Sequence, residues 1–186
     1  MRLKKINAAL GLLSIVFMLL HIAYTVFSYL TFYYNPLLKM IFAVPFMVLV
    51  CLHAICGMLT VFTQSDGTRM DLYPKLNMKT ILQRVSAALI FPLLILHINT
   101  FSLLKAAAER KLTFLIILLF ISEMLFFATV LTHVSISLTK GLVTLGILTS
   151  VETQKKLDRI IYIVCGIIYI VAVCSVLKTQ IAMFLN

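Results

Sequence analysis

The side chains best suited to chemistry in this sequence are four histidines, His21, His53, His97 and His133. Each lies inside a long apolar segment, and the first four such segments carry one apiece. Neutral imidazole is the commonest metal ligand among side chains. An ionisable group surrounded by hydrocarbon is costly, and it usually faces a protein interior or a functional cavity. A single histidine so placed is as readily a satisfied interior hydrogen-bonder. Four of them, one per segment, ask for a common explanation.

The segments that must position them read as helices. Of the 186 residues, 62% are hydrophobic and 12% charged. A soluble domain of this size has no interior large enough for so much apolar side chain. A bilayer core needs roughly 20 apolar residues per helical span, and the sequence offers five such spans. They cover about 6–29, 37–62, 78–104, 112–138 and 157–184, with Asn35-Pro36, Ser65-Asp66-Gly67, Tyr73-Pro74 and the charged run from Glu152 to Arg159 between them. The expectation is an all-α integral membrane bundle of five transmembrane helices, with residues 1–186 as one transmembrane domain. The opening MRLKK resembles a secretory signal, but no small-residue cleavage site follows, so the run is assigned to helix 1. Pro45 and Pro92 fall inside spans, where kinks are tolerated.

The net charge of +10 is distributed over helix ends, not along one basic stripe, which points to topology and lipid headgroups and away from nucleic acid. With the N-terminus cytoplasmic and the C-terminus outside, eleven of the sixteen Lys and Arg residues fall on the inner side and five on the outer, as the positive-inside rule requires. A multi-pass protein of the cell's inner (cytoplasmic) membrane follows. Cys51, Cys56, Cys165 and Cys174 lie in apolar spans and read as buried structural thiols. No CxxCH motif is present, which excludes covalent c-type haem attachment.

Helical rise sorts the histidines by depth. His21 lies about 23 Å and His97 about 28 Å along their helices from the inner side. The second and fourth helices run the other way, with His53 about 24 Å and His133 about 31 Å from the outer side. The outer half therefore holds His21 and His97, and the inner half holds His53 and His133. Small or mildly polar residues share their helix faces: Ser14, Thr25 and Ser28 with His21; Gly57 and Thr60 with His53; Ser86 and Thr100 near His97; Thr129, Ser137 and Lys140 with His133. Such residues leave room for a flat macrocycle and offer groups that orient an imidazole. They are also ordinary in helix packing. Zinc and copper sites usually gather more than two close ligands, often including carboxylate or thiolate. Two facing imidazoles with no third ligand suit the axial positions of haem iron, so two pairs at two depths suggest two b-type haems and electron transfer across the membrane.

Through those residues the sequence resembles the membrane-anchor cytochrome b of the succinate dehydrogenase and fumarate reductase family, in its five-helix, two-haem form. LQRVSAALIFPLLILH, with Arg84, Ser86 and His97, is similar to the family's Arg-[Ile/Val]-Ser-Gly segment followed by a haem histidine, with Ala87 where the family often has Gly. LHAICGMLTVF, with His53 and Gly57, is similar to its His-x-x-x-Gly ligand segment. The resemblance covers most of the chain through helix 4. It implies that His21 and His97 ligate an outer haem and His53 and His133 an inner one. It also implies a flavoprotein and an iron–sulfur subunit bound at the cytoplasmic face. A membrane quinone, expected to be menaquinone, would exchange electrons with them through this chain. Arg84, Ser86 and Lys140 are candidate haem-propionate or quinone contacts, and Lys79 is a further candidate for the propionates or the iron–sulfur partner. Glu123, the only carboxylate well inside a span, is the candidate for proton exchange with quinone. Two other readings stay open: a small transport component with a histidine-lined path, and a dihaem cytochrome b serving a different dehydrogenase.

Overall fold

In the computed structural model the described residues form five α-helices: α1 (Arg2–Thr31), α2 (Pro36–Thr63), α3 (Pro74–Glu109), α4 (Thr113–Leu145) and α5 (Val151–Phe184). The structure describes residues 2–63 and 74–185, with side chains from residue 78 onward in the second stretch. The expected turn at Ser65-Asp66-Gly67, with Tyr73, lies outside the described residues. No strand occurs among the described residues, and all five helices are long and apolar enough to cross a membrane.

Every helix runs past its apolar stretch. α3 continues through Lys105 and three alanines to Glu109, and α4 through Lys140 to Leu145. Hydropathy marks only the part of a helix suited to lipid, whereas backbone hydrogen bonding continues until a stop signal. For α4 that stop is Gly146, whose φ of 80° lets its amide and the next two reach back to the carbonyls of Leu142 and Val143, a left-handed cap that suits glycine. α5 begins at Ser150, whose hydroxyl accepts from the Thr153 amide. α2 begins at Pro36, where the missing amide costs nothing. The preceding Asn35 caps it, with Oδ1 accepting from the amides of Leu37 (2.9 Å) and Leu38 (3.3 Å).

α4 is the hub. It packs against α3, α5 and α1, while α1 also packs on α2 and α5. Nine of its residues are buried, Glu123 among them; no residue of α2 is buried. The tightest apolar cluster, Leu104, Ala107, Ile116, Leu119 and Phe120, closes the α3–α4 turn, with Leu177 and Phe184 of α5 against it. Elsewhere the helices turn Leu, Ile, Val and Phe outward along their whole length, as a lipid-facing bundle does. The cysteines correct one expectation: all four are free, Cys51 and Cys174 exposed and Cys56 and Cys165 half-buried. The interior is thin, and thiols on the outer stripes of these helices never enter it.

Candidate functional site

The four helices that bear histidines place them toward two ends of the bundle. His53 lies against the beginning of α1, at the end that carries the N-terminus. Its Nδ1 is 2.9 Å from the carbonyl oxygen of Asn7. A carbonyl only accepts, so Nδ1 carries the proton and Nε2 keeps its lone pair. Gly11, one turn further along α1, makes the approach feasible: a β-carbon there would stand 2.9 Å from His53 Cε1 and 3.1 Å from Nδ1.

His133 of α4 is held in the same way. Its Nδ1 is 3.0 Å from the Gln83 carbonyl of α3 and 3.2 Å from the Ser86 hydroxyl. Ser86 itself donates to that carbonyl at 3.0 Å. The Nε2 side meets only the Ser137 hydroxyl, at 3.4 Å, the outer limit of a hydrogen bond. The two rings, from α2 and α4, stand 6.3 Å apart, centre to centre, at 67°. Metal–imidazole bonds of about 2 Å on either side of one ion separate two ring centres by roughly 6 Å. With Nδ1 engaged, Nε2 is the nitrogen each ring has for such a bond, and at His133 the Ser137 hydroxyl stands 3.4 Å from it. The ring spacing is the one that two imidazoles held on a single ion would have.

Around His133 runs a polar network between α3 and α4. Gln83 Nε2 donates to Ser137 Oγ at 2.9 Å. Lys140 Nζ donates to Gln83 Oε1 (2.9 Å) and Thr80 Oγ1 (3.2 Å). Lys79 of α3 meets Asp158 of α5 at 3.3 Å, and that carboxylate also accepts from Thr139 at 2.7 Å. Arg84 is half-buried at the same level, with interactions of its own. Lys140 and Ser86 thus lie within reach of one histidine, and Lys79 is engaged with α5.

Toward the opposite end, His97 of α3 faces Glu123 of α4. Its Nδ1 is 3.0 Å from Oε2 and 3.1 Å from Oε1. The Thr100 hydroxyl donates to Oε1 at 2.7 Å. Phe126 lies flat against the His97 ring at 4.5 Å and 20°, and Phe127 meets its edge at 5.8 Å. His21 of α1 lies toward the same end, and its ring contact is with α2 rather than with His97. It stacks on Phe46 of α2 at 6.0 Å, and its Nδ1 is buried without a hydrogen-bond partner. A buried ring nitrogen with nothing to bind is uncommon in a folded interior, and it is one more free ligand position.

Several of the hydroxyls on the histidine faces serve the backbone instead. Ser14 donates to the Gly11 carbonyl, Thr25 to that of His21, Thr60 to that of Cys56 and Thr129 to that of Leu125. Ser86, placed by its helix near His97, touches His133. Among the described residues no three of His, Cys, Asp and Glu gather as a metal-binding group. Residue type and spacing do not point to Asn7, Gly11 or Gln83. Two of them act through main-chain carbonyls, which carry no residue signature. Gly11 alone left a trace, as a glycine inside a long apolar helix. No protein-family model, curated protein or solved structure matches the chain.

Proposed function

We propose that this chain is the dihaem cytochrome b membrane anchor of a succinate:quinone oxidoreductase, either a succinate dehydrogenase or a fumarate reductase. It sits in the cytoplasmic membrane with its N-terminus inside. The observation that carries the reading is the His53–His133 pair, two rings 6.3 Å apart with each Nδ1 within 3.0 Å of a helix carbonyl and, at His133, only the long 3.4 Å contact of Ser137 on Nε2. His21 and His97 are the second pair, nearer the outer face. Haem held by these histidine pairs would supply one-electron transfer, with His53 and His133 holding one group and His21 and His97 the other.

The chain's own residues hold, orient and insulate. The Asn7 and Gln83 carbonyls fix the tautomer and tilt of His53 and His133, as outer partners of metal-ligating histidines do. Ser86 touches His133, Lys140 is tied to Gln83 beside it, and these with Arg84 are the residues that would meet propionate groups. An iron–sulfur subunit, docked with a flavoprotein on the cytoplasmic face, carries the dicarboxylate chemistry and exchanges electrons with a membrane quinone through this chain. Glu123 lies in the outer half, where quinone protons would be handled.

The test is a pyridine haemochrome assay with a reduced-minus-oxidised spectrum, on protein purified from the membranes of a haem-replete host. Two b-type haems per chain are expected, with one lost in His53→Ala and the other in His97→Ala. Absence of haem from the wild-type chain would sink the cytochrome reading and leave transport as the better account.

A further inference from the structure

Three of the four histidine rings have a partner at Nδ1, and one of the three differs in kind. His53 and His133 donate to main-chain carbonyls, whereas His97 meets a carboxylate, with both oxygens of Glu123 within 3.1 Å. Glu123 and Thr100 are only 4% and 3% exposed, so bulk water does not share this contact.

We infer that Glu123 is the positioning residue for His97, fixing its ring and raising the basicity of Nε2 as an axial ligand. The inference rests on the dihaem reading and deepens it. α4 supplies a holder with three sides. Glu123, Phe126 and Phe127 are separated by three and four residues and so lie on one helical face. Glu123 takes Nδ1, Phe126 covers one face of the ring at 4.5 Å, and Phe127 closes its edge. Thr100, one turn beyond His97 on α3, has its hydroxyl 2.7 Å from Oε1 and 2.9 Å from the Leu96 carbonyl, so its one proton is shared between the carboxylate and the backbone. Nε2 is the nitrogen left to bind. A carboxylate is a stronger acceptor than a peptide carbonyl, and a stronger acceptor at Nδ1 makes the opposite nitrogen the better donor to metal. In haem proteins that lever favours the oxidised iron and lowers its reduction potential. Glu123 therefore acts on the haem through His97.

The experiment compares wild type, Glu123→Gln, Glu123→Ala and Thr100→Val as full-length chains purified from membranes. Each is read by haem content, by low-spin electron paramagnetic resonance and by redox titration. The haem lost in His97→Ala identifies the relevant signals. Glu123→Gln keeps an acceptor for Nδ1, so both haems should stay bound. The midpoint of the His97 haem should rise while that of the His53–His133 haem stays put. Glu123→Ala should weaken occupancy of the His97 haem by roughly 10–100-fold and shift its low-spin signal. Thr100→Val should move the same midpoint upward, by less. Two bound haems with unmoved signals and midpoints in Glu123→Gln would overturn the inference, even if Glu123→Ala fails to fold. A wild-type chain without haem would overturn the parent reading as well, which separates the two failures.

Discussion

The His53–His133 pair and the His21–His97 pair solve one problem by different means. At the first, both rings are anchored on main-chain carbonyls, of Asn7 and Gln83. At the second, one ring is anchored on a side-chain carboxylate, and the other has a buried Nδ1 with no partner. A main-chain carbonyl is present whatever residue bears it, so the first pair is vulnerable to loss of room and not to loss of a partner. The second pair depends on a single side chain. Steric access governs one site and hydrogen-bond chemistry the other.

The largest expected effect therefore comes from filling the space at Gly11. Its own β-carbon would already stand 2.9 Å from His53, so Gly11→Leu should drive the ring off the Asn7 carbonyl. Haem per chain should fall from two to one, with the His97 haem spectrum intact; a chain that keeps two haems would show that the approach of α1 is not what seats His53. Next comes Gln83→Ala, which keeps the carbonyl that holds His133 but removes the amide that ties Ser137 and Lys140. Both haems should remain, with a modest shift confined to the His53–His133 haem in a redox titration. Loss of that haem would mean the side-chain network, and not the carbonyl, orients the ring.

Tyr24→Phe sharpens the comparison by leaving both sites alone. The phenol donates to the Asn35 carbonyl and accepts from the Asn35 amide, both at 2.8 Å, fixing the loop ahead of α2. Removing it should cost about 1–3 kcal/mol in detergent unfolding, with no spectral change; a shifted spectrum would mean that the α1–α2 loop helps set the histidine geometry. The smallest effect is expected for Lys79→Ala. This pair with Asp158 is partly exposed, and such ion pairs contribute about 0–1 kcal/mol. A larger loss in the same unfolding assay would make the α3–α5 contact a principal support of the bundle.

Part of this site is legible in residue order. Helical rise alone assigns each histidine a depth, and the same arithmetic bears on Ser86. Eleven residues before His97 on one helix, Ser86 lies about 16 Å from it, which puts it level with His133, where its hydroxyl is found. Glu123 stood out as a carboxylate in an apolar span. Its partner did not, because Glu123 and His97 are 26 residues apart on different helices, and their meeting depends on how α3 and α4 rotate about their axes. For the hydroxyls, helix-face reasoning misled at Ser14, Thr25, Thr60 and Thr129. In a helix a serine or threonine hydroxyl satisfies itself on the preceding turn, so a shared face does not imply a shared partner.

What the sequence by itself determined is the set of five apolar helices. Too little polar surface for a soluble domain and five runs of sufficient length leave few other ways to satisfy the backbone. Only the tertiary structure decided what holds each imidazole. Two of the partners are main-chain carbonyls, invisible in residue identity. A third is a carboxylate brought in by helix rotation, and Gly11 is a vacancy whose use depends on which helix approaches it. Helix formation is a local property of the chain; the orientation of a ring in the interior is a property of its neighbours.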